Sequence, residues 1–166
     1  MSIPVTLTIN GEPVDIRASY HVSCTVKLDT ACEVRRDVQG VPRALGPAWD
    51  RYRVEVSGNT RLPGPLEGVQ PGDTVTVGCS AAAPAARVTA SGGGTVDFRR
   101  PVRHAWSRGL HDGEEMAVGI NGSEVTVDQP AHVYAQLEIT GMVAEAPGAS
   151  FDTARGTGSW RLVVLE

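Results

Sequence analysis

The chain has 166 residues, 41% of them hydrophobic and 20% charged, with a formal net charge of −4 at pH 7. This length suits one domain, residues 1–166, and a domain of this size buries about 70% of its unfolded surface, enough for a core without disulfides or metal. The acidic balance lacks the basic footprint of a generic nucleic-acid binder. The 19 Gly and 11 Pro favour many turns and leave little room for long helices.

Neither end of the chain nor its cysteines indicate export. Residues 1–5 contain no basic region followed by an apolar one, so we expect no secretion signal. No apolar run approaches the ~20 residues of a membrane-spanning helix. Cys24, Cys32 and Cys79 form an odd set without CxxC spacing. We expect buried, reduced thiols in a protein made in the cytoplasm.

Two Asn-Gly pairs predict β-hairpins. Residues 5–9 alternate in hydrophobicity before Asn10-Gly11, and the alternation resumes in residues 14–17. Residues 117–120 and 124–127 flank Asn121-Gly122 in the same manner. Asn-Gly readily takes positive φ at both central positions of a type I′ turn, and the twist of that turn matches paired strands.

Six further segments are rich in Val and Thr and are bounded by Gly, Pro, Asn or Asp: 22–28, 52–57, 74–79, 95–98, 133–140 and 159–165. Short strands at this spacing favour an antiparallel β-sandwich or barrel over a βαβ arrangement. Only residues 110–118 offer a helical turn or two, which Gly113 weakens. We therefore predict an all-β protein with at most one short helix.

Three long connections, 31–50, 59–73 and 80–94, are predicted to be irregular. Loops longer than about 12–15 residues are uncommon in compact domains and usually serve binding or are disordered. The connection 31–50 mixes apolar and charged residues as an interface does; these are Glu33, Val34, Arg35, Arg36, Asp37, Val38, Val41, Arg43 and Leu45. We expect neighbouring subunits to order it.

The only candidate metal ligands are His104 and His111, which lie close to Asp112, Glu114 and Glu115. Two histidines and a carboxylate suit zinc, so a metal-dependent hydrolase is one alternative function. The spacing matches no compact motif such as HExxH, and a solvated turn is the simpler interpretation.

Other catalytic patterns are missing from the sequence. It contains no GxSxG nucleophile motif, and glycines 92–94 lack the Lys-Ser/Thr of a phosphate-binding loop. Cys24 and Cys79 fall in alternating strand patterns, where a small buried residue belongs. His21 and His132 stand alone. We predict no catalytic, cofactor-binding or metal-binding residue, and no enzyme activity.

Sugar-binding modules present aromatic side chains on a flat face. Here Trp49, Trp106 and Trp160 are far apart in sequence, which favours anchoring of the core or of an interface. A monomeric β-sandwich that binds a carbohydrate, a receptor or another ligand is the second alternative.

One stretch carries a family resemblance. Residues 49–58 (WDRYRVEVSG) lead through residues 62–66 (LPGPL) to residues 74–79 (TVTVGC). An aromatic-anchored strand thus runs into a Pro-rich loop and then into a Thr/Val strand that ends at Cys. Over about 30 residues this resembles small tail-tube and tail-tip subunits of long-tailed bacteriophages.

The resemblance implies a structural virion protein with no cofactor, assembled in the host cytoplasm with other tail proteins. In that family β-sandwiches form stacked homo-oligomeric rings, typically hexamers, with an extended loop that bridges neighbouring rings. DNA is then only a transient cargo in the lumen, and no membrane is involved. Residues 31–50 match the stacking loop. The helix that usually flanks the tube sandwich has little support here, so a tail-tip or terminator role is expected as readily as a tube role.

Overall fold

A computed structural model describes residues 6–14, 22–30, 33–45, 50–59, 62–147, 150–152 and 157–166. The described part contains one short 3-10 helix, Gly64–Leu66, and sixteen strands. The strands are β1 (Thr8–Ile9), β2 (Glu12–Pro13), β3 (Val22–Thr30), β4 (Glu33–Arg36), β5 (Pro42–Leu45), β6 (Asp50–Gly58), β7 (Thr74–Ala82), β8 (Ala86–Val88), β9 (Gly94–Asp97), β10 (Val102–Gly109), β11 (Glu115–Met116), β12 (Gly119–Asn121), β13 (Glu124–Val127), β14 (Ala131–Glu145), β15 (Ser150–Asp152) and β16 (Thr157–Leu165).

The all-β prediction is confirmed for this part of the chain, and every pairing in it is antiparallel. None of the described helical segments is long and apolar enough to cross a membrane. His21, Cys32, Trp49 and the outer ends of the first predicted hairpin, residues 5 and 15–17, lie outside the described residues.

The 15-residue strand β14 is the centre of the largest sheet and pairs with four other strands. Along one edge it pairs first with β10 and then with β16. Along the other edge it pairs first with β8 and then with β7. From β16 the sheet continues through β6 to β3, and from β7 it continues through β1 to β2.

The large sheet curls until its edge strand β3 packs against β7. The pairings described include no ladder between β3 and β7, so the sheet is sandwich-like and does not close into a barrel. Alternate residues of each strand face inward, as the period of two requires. The core between the curled faces includes Ile9, Val26, Val54, Val56, Val77, Leu137, Ile139, Trp160, Leu162 and Val164.

A smaller sheet, β12–β13–β9, completes the core through Val125 and Val127. Arg100, just after β9, ties this sheet to the end of β16. Its guanidinium pairs with the Glu166 carboxylate, with an Nη2–Oε2 distance of 2.6 Å, and stacks 5.3 Å from the Tyr52 ring centroid. The backbone N–H of Tyr52 donates to the same carboxylate at 3.0 Å. A charged pair with backbone support is stronger than an exposed ion pair.

The structure confirms the first predicted hairpin and corrects the register of the second. Asn10 and Gly11 have φ of 50° and 82°, and β1 pairs with β2 across them as a type I′ turn requires. In the second hairpin Asn121 pairs with Glu124, so the loop residues are Gly122 and Ser123. Only Gly122 has positive φ there, which suits a type II′ turn.

The expectation of at most one short helix holds for the described residues, and three details differ from the sequence prediction. Residues 110–118 form a turn and the strand β11, with no helix. The connections 31–50, 59–73 and 80–94 are less irregular than predicted, because they contain β4 and β5, the 3-10 helix, and β8 respectively. The strand β10, in a region predicted to be a loop, was missed entirely.

The close packing of Gly58 against Trp160 generates the first prediction. The two residues face each other across β6 and β16, and a Cβ at Gly58 would lie 2.6 Å from Cε2 of the buried Trp160. We expect Gly58→Ala to destabilise the fold by about 1–3 kcal/mol, because the indole has no room to move. Chemical denaturation measures the free energy of unfolding. Gly119→Ala is the matched control, since its Cβ would lie 3.9 Å from Thr126. An equal effect of the two substitutions would contradict the packing argument.

Candidate assembly surface

A β-hairpin formed by β4 and β5, the arm, projects from the chain between β3 and β6. The two strands pair with each other and form a separate two-stranded sheet. β3 and β6 are themselves paired up to Thr30 and Asp50, so the arm leaves the sheet at that end. A two-stranded hairpin is marginally stable by itself in water. The arm therefore gains most from contact with another surface.

The turn at the tip of the arm is organised by the Asp37 carboxylate. Oδ1 accepts the backbone N–H groups of Gln39 and Val41 at 3.0 and 2.9 Å, and Oδ2 accepts Nε of Arg43 at 2.8 Å. Gly40 supplies the positive φ, 78°, that closes the turn. The Arg43 guanidinium, with the Val41 amide, holds the pKa of Asp37 below its usual value. The turn is thus ordered by local polar contacts and needs no apolar core.

This ordered turn presents apolar side chains to solvent. Val38 is 96% exposed and Val41 is 51% exposed, while Arg35 and Arg36 beside them are also exposed. A single exposed apolar residue is common, but one almost fully exposed at the tip of a self-paired arm has nothing in its own subunit to pack on. The exposed valines at the tip are therefore suited to pack against another surface.

An apolar groove lies on the large sheet where β14 meets β16. Met142 and Leu165 face each other across these strands and are 57% and 40% exposed. They line a groove of about 450 Å³ together with Thr74, Thr140, Gly141, Val143 and Ala144, and Arg51 and Glu166 form its polar rim. Methionine adapts its shape to a partner because it is unbranched and flexible.

The outer face of β10 and β14 carries a group of aromatic side chains that the sequence analysis did not find. Trp106 lies directly opposite Tyr134, and their rings stack with centroids 5.5 Å apart and an angle of 8°. His104 is 5.7 Å from the Trp106 ring. Arg108 and His132 form the next pair along the same two strands. The prediction that tryptophans anchor the core holds for Trp160, which is buried.

The candidate metal ligands do not form a ligand set. His104 lies in the middle of β10 beside Trp106, whereas His111 lies in the exposed turn after Gly109. In that turn Asp112 accepts the N–H of Glu114 at 3.1 Å, whereas Glu115 lies in β11 and pairs with Arg108 of β10. Within the described ranges, no group of three or more His, Cys, Asp or Glu side chains is placed to hold a metal ion.

The structure confirms that Cys24 and Cys79 lie in strands and contact the core. Cys79 is fully buried in the core, and Cys24 is half-buried and packs against the core. The structure also brings the two cysteines onto packed strands, where each thiol shifts the pKa of the other. Nothing in their sequence spacing predicts this contact.

Comparison with known proteins gives no relative: no protein-family model, curated protein or solved structure matches this chain.

Protonation of Asp37 at low pH should break the hydrogen bonds that order the turn at the tip of the arm. A carboxylate whose pKa is lowered by folding stabilises the folded state at pH values above its ordinary pKa of 3.8. This stabilisation is lost as the pH falls through the lower pKa of the folded state. We expect the Val41 and Gln39 amide signals in NMR spectra to shift together at a pH below 3.8. In Asp37→Asn this transition should vanish, while Asp97, which accepts from Arg99 and Ser123 and also has a lowered pKa, should still titrate. A Val41 transition at or above 3.8 would contradict the assignment.

Proposed function

We propose that the chain is a structural subunit of a bacteriophage tail, in the tube, the tip or the terminator, that forms a homo-oligomeric ring or tube for passage of DNA. It works through shape and subunit contacts, together with other tail proteins, and it belongs to the virion after assembly in the host cytoplasm. The observation that carries the proposal is the self-paired arm, which ends in the almost fully exposed Val38. Residues 31–50 are also the segment that the tail resemblance, carried by residues 49–58, 62–66 and 74–79, matches to the stacking loop.

The contact we propose joins the arm of one copy to the groove of the next. The tip offers Val38 and Val41, and the groove offers Met142 and Leu165, so that both sides lose exposed apolar surface. Glu145, whose side chain is 53% exposed, lies near the groove on β14, and the arm brings Arg35 and Arg36. Opposite charges at the rim of an apolar contact favour the correct register.

Such a contact uses two different surfaces of the same chain. Head-to-tail interfaces of this kind close into rings or continue as filaments, whereas a contact between identical surfaces stops at a dimer. Because the arm tip and the groove are different surfaces of one chain, a contact between them favours a ring or a tube.

The experiment is negative-stain imaging combined with light scattering of the purified protein and two variants. The unchanged chain is expected to form rings or tubes. Val38→Asp should weaken self-association by at least about 30-fold, or ~2 kcal/mol, because a charge replaces an apolar anchor. Ile120→Asp is the matched control, since Ile120 is an exposed apolar residue of another hairpin, 45% exposed. Association that survives Val38→Asp would exclude the arm as the coupling element.

Mixing variants tests the head-to-tail geometry. Val38→Asp copies keep an intact groove, and Met142→Asp copies keep an intact arm. Each variant alone should be monomeric, and an equal mixture should form heterodimers that grow no further. If the unchanged chain stays monomeric at high concentration and no tail protein recruits it, the proposal fails.

A second candidate function is a ligand-binding module, favoured by the stacked Trp106 and Tyr134 rings on the outer sheet face. Paired aromatic rings flanked by polar side chains are suited to the apolar face of a sugar ring. Titration with oligosaccharides, followed by tryptophan fluorescence, separates this function from assembly. Saturable binding that is lost in Trp106→Ala and kept in Tyr134→Phe would favour the module.

A further inference from the structure

Cys24 and Cys79 meet where the edge of the large sheet returns on itself. Cys24 lies on β3 and Cys79 on β7, and Cα atoms of these two strands approach within 8 Å. On β3, residues 22, 24 and 26 face the core, and on β7, residues 75, 77 and 79 do so. Both thiols therefore point into the same seam, and each shifts the pKa of the other.

The two thiols have different surroundings. Cys79 is fully buried, whereas Cys24 is half-buried. The ladder of β7 with β1 ends at Gly78, and beyond it the amides of Ala81 and Ser80 and the Ser80 hydroxyl donate to the Cys24 sulfur. Such donors stabilise a thiolate.

The donors act on the ionisation of Cys24. The Cys79 thiol has the largest effect and lowers the pKa of Cys24. Burial raises this pKa, and the Ala81 and Ser80 groups lower it. The net result is a fall from 9.0 to about 6. The same contact, together with burial, raises the pKa of Cys79, which Arg103 opposes. Of the two thiols, Cys24 is therefore the one that ionises more readily.

We propose that Cys24 is a reactive thiol that takes a low-molecular-weight disulfide as substrate, and that Cys79 resolves the adduct into a Cys24–Cys79 disulfide joining β3 to β7. This inference does not rest on the proposed function, because it concerns the isolated subunit. The cysteines were predicted to be buried, reduced thiols, and the proposal assigns the pair a chemical role.

The reaction balances with a disulfide such as oxidised glutathione as the oxidant. The Cys24 thiolate attacks one glutathione sulfur, the glutathione S–S bond breaks, and one glutathione thiolate leaves. Cys79 then gives up its proton and attacks the Cys24 sulfur, and the second glutathione leaves as a thiolate. Two protein thiols are oxidised to one disulfide, and one glutathione disulfide is reduced to two thiols.

The second step is favoured by the first. The groups that raise the pKa of Cys79 are the Cys24 sulfur, through its hydrogen bond and charge, and burial. In the mixed disulfide Cys24 no longer carries a negative charge, so a large part of this effect disappears while Arg103 remains close. Cys79 therefore becomes a better nucleophile at the moment when its target forms.

The Cys24–Cys79 disulfide would join two strands, β3 and β7, that have no backbone ladder with each other in the described residues. Among the described strands, β3 has a backbone ladder only with β6. A disulfide needs Cα atoms about 4.4–6.8 Å apart, and Cα atoms of β3 and β7 already approach within 8 Å. The disulfide would fasten the free edge of β3 to β7 and enclose the long chain segment between the two cysteines, which restricts the unfolded state.

The test uses the full chain with Cys32→Ser, so that only the pair can react. After incubation with oxidised glutathione, intact mass should fall by two hydrogens, with no glutathione retained, and peptide mapping should link the Cys24 and Cys79 peptides. The melting temperature should rise by about 10 °C and return after reduction. Alkylation of Cys24 by iodoacetamide should increase with a midpoint near pH 6 instead of 9.0.

Two further variants in the same background identify each step. Cys79→Ser should accumulate glutathione on Cys24, and Cys24→Ser should leave Cys79 unmodified, because Cys79 is buried. Circular dichroism checks that each variant keeps its β-sheet signal, and Cys→Ala replacements serve if serine disturbs folding. Two free thiols, a stable glutathione adduct in the Cys32→Ser chain, or a disulfide between two copies would each overturn the proposal.

Discussion

The backbone hydrogen bonds of β14 organise the molecule, because this central strand pairs along both of its own edges and joins four other strands. Its first half holds β10 and β8, and its second half holds β16 and β7. Register shifts interrupt the ladder of β14 with β7 after Gln136 and its ladder with β16 after Val143. β-Bulges bend and twist a strand locally, which allows one strand to take part in both faces of the sandwich. The aromatic face, the groove and the strand that carries Cys79 all take their positions from β14.

Much of this fold is predictable from local sequence, and the exceptions have physical reasons. Strands such as β3, β6, β7 and β16 were found because their inward positions are apolar. β10 was missed because its inward residues include Ala105 and Ser107, which are small or polar, and Ser107 is satisfied in place by the carbonyl of Met116 at 3.2 Å. The far end of β14 was missed because Gly141 interrupts its Val-rich pattern, although its backbone lies directly against Leu165. Hairpin chemistry located the second turn but not its register, which depends on strand pairing.

The candidate surfaces were predictable only in part. The mixture of Val and Arg in residues 31–50 indicated an interface, but not that Asp37 organises an ordered tip. The contact between Cys24 and Cys79 depends on how far the sheet curls, which no local pattern encodes. The pairing of Trp106 with Tyr134 likewise required β10 to be a strand and to lie beside β14 in one register. Long-range register, and not residue type, therefore separates the predicted features from the missed ones.

The edge strand β3 connects the two proposals. Its end leads into the arm, and its middle carries Cys24. The direction in which the arm leaves the sheet therefore depends on how firmly β3 is held. In the reduced protein β3 is held by its ladder with β6 and by packing on β7; a covalent link to β7 would add a fixed point on its other edge. An arm that must reach a neighbouring subunit benefits from such a point, because binding costs less when the free protein already holds its bound geometry. The same argument explains why a thiol pair at this seam has more consequence than one elsewhere in the core: it acts on the strand that sets the direction of the contact.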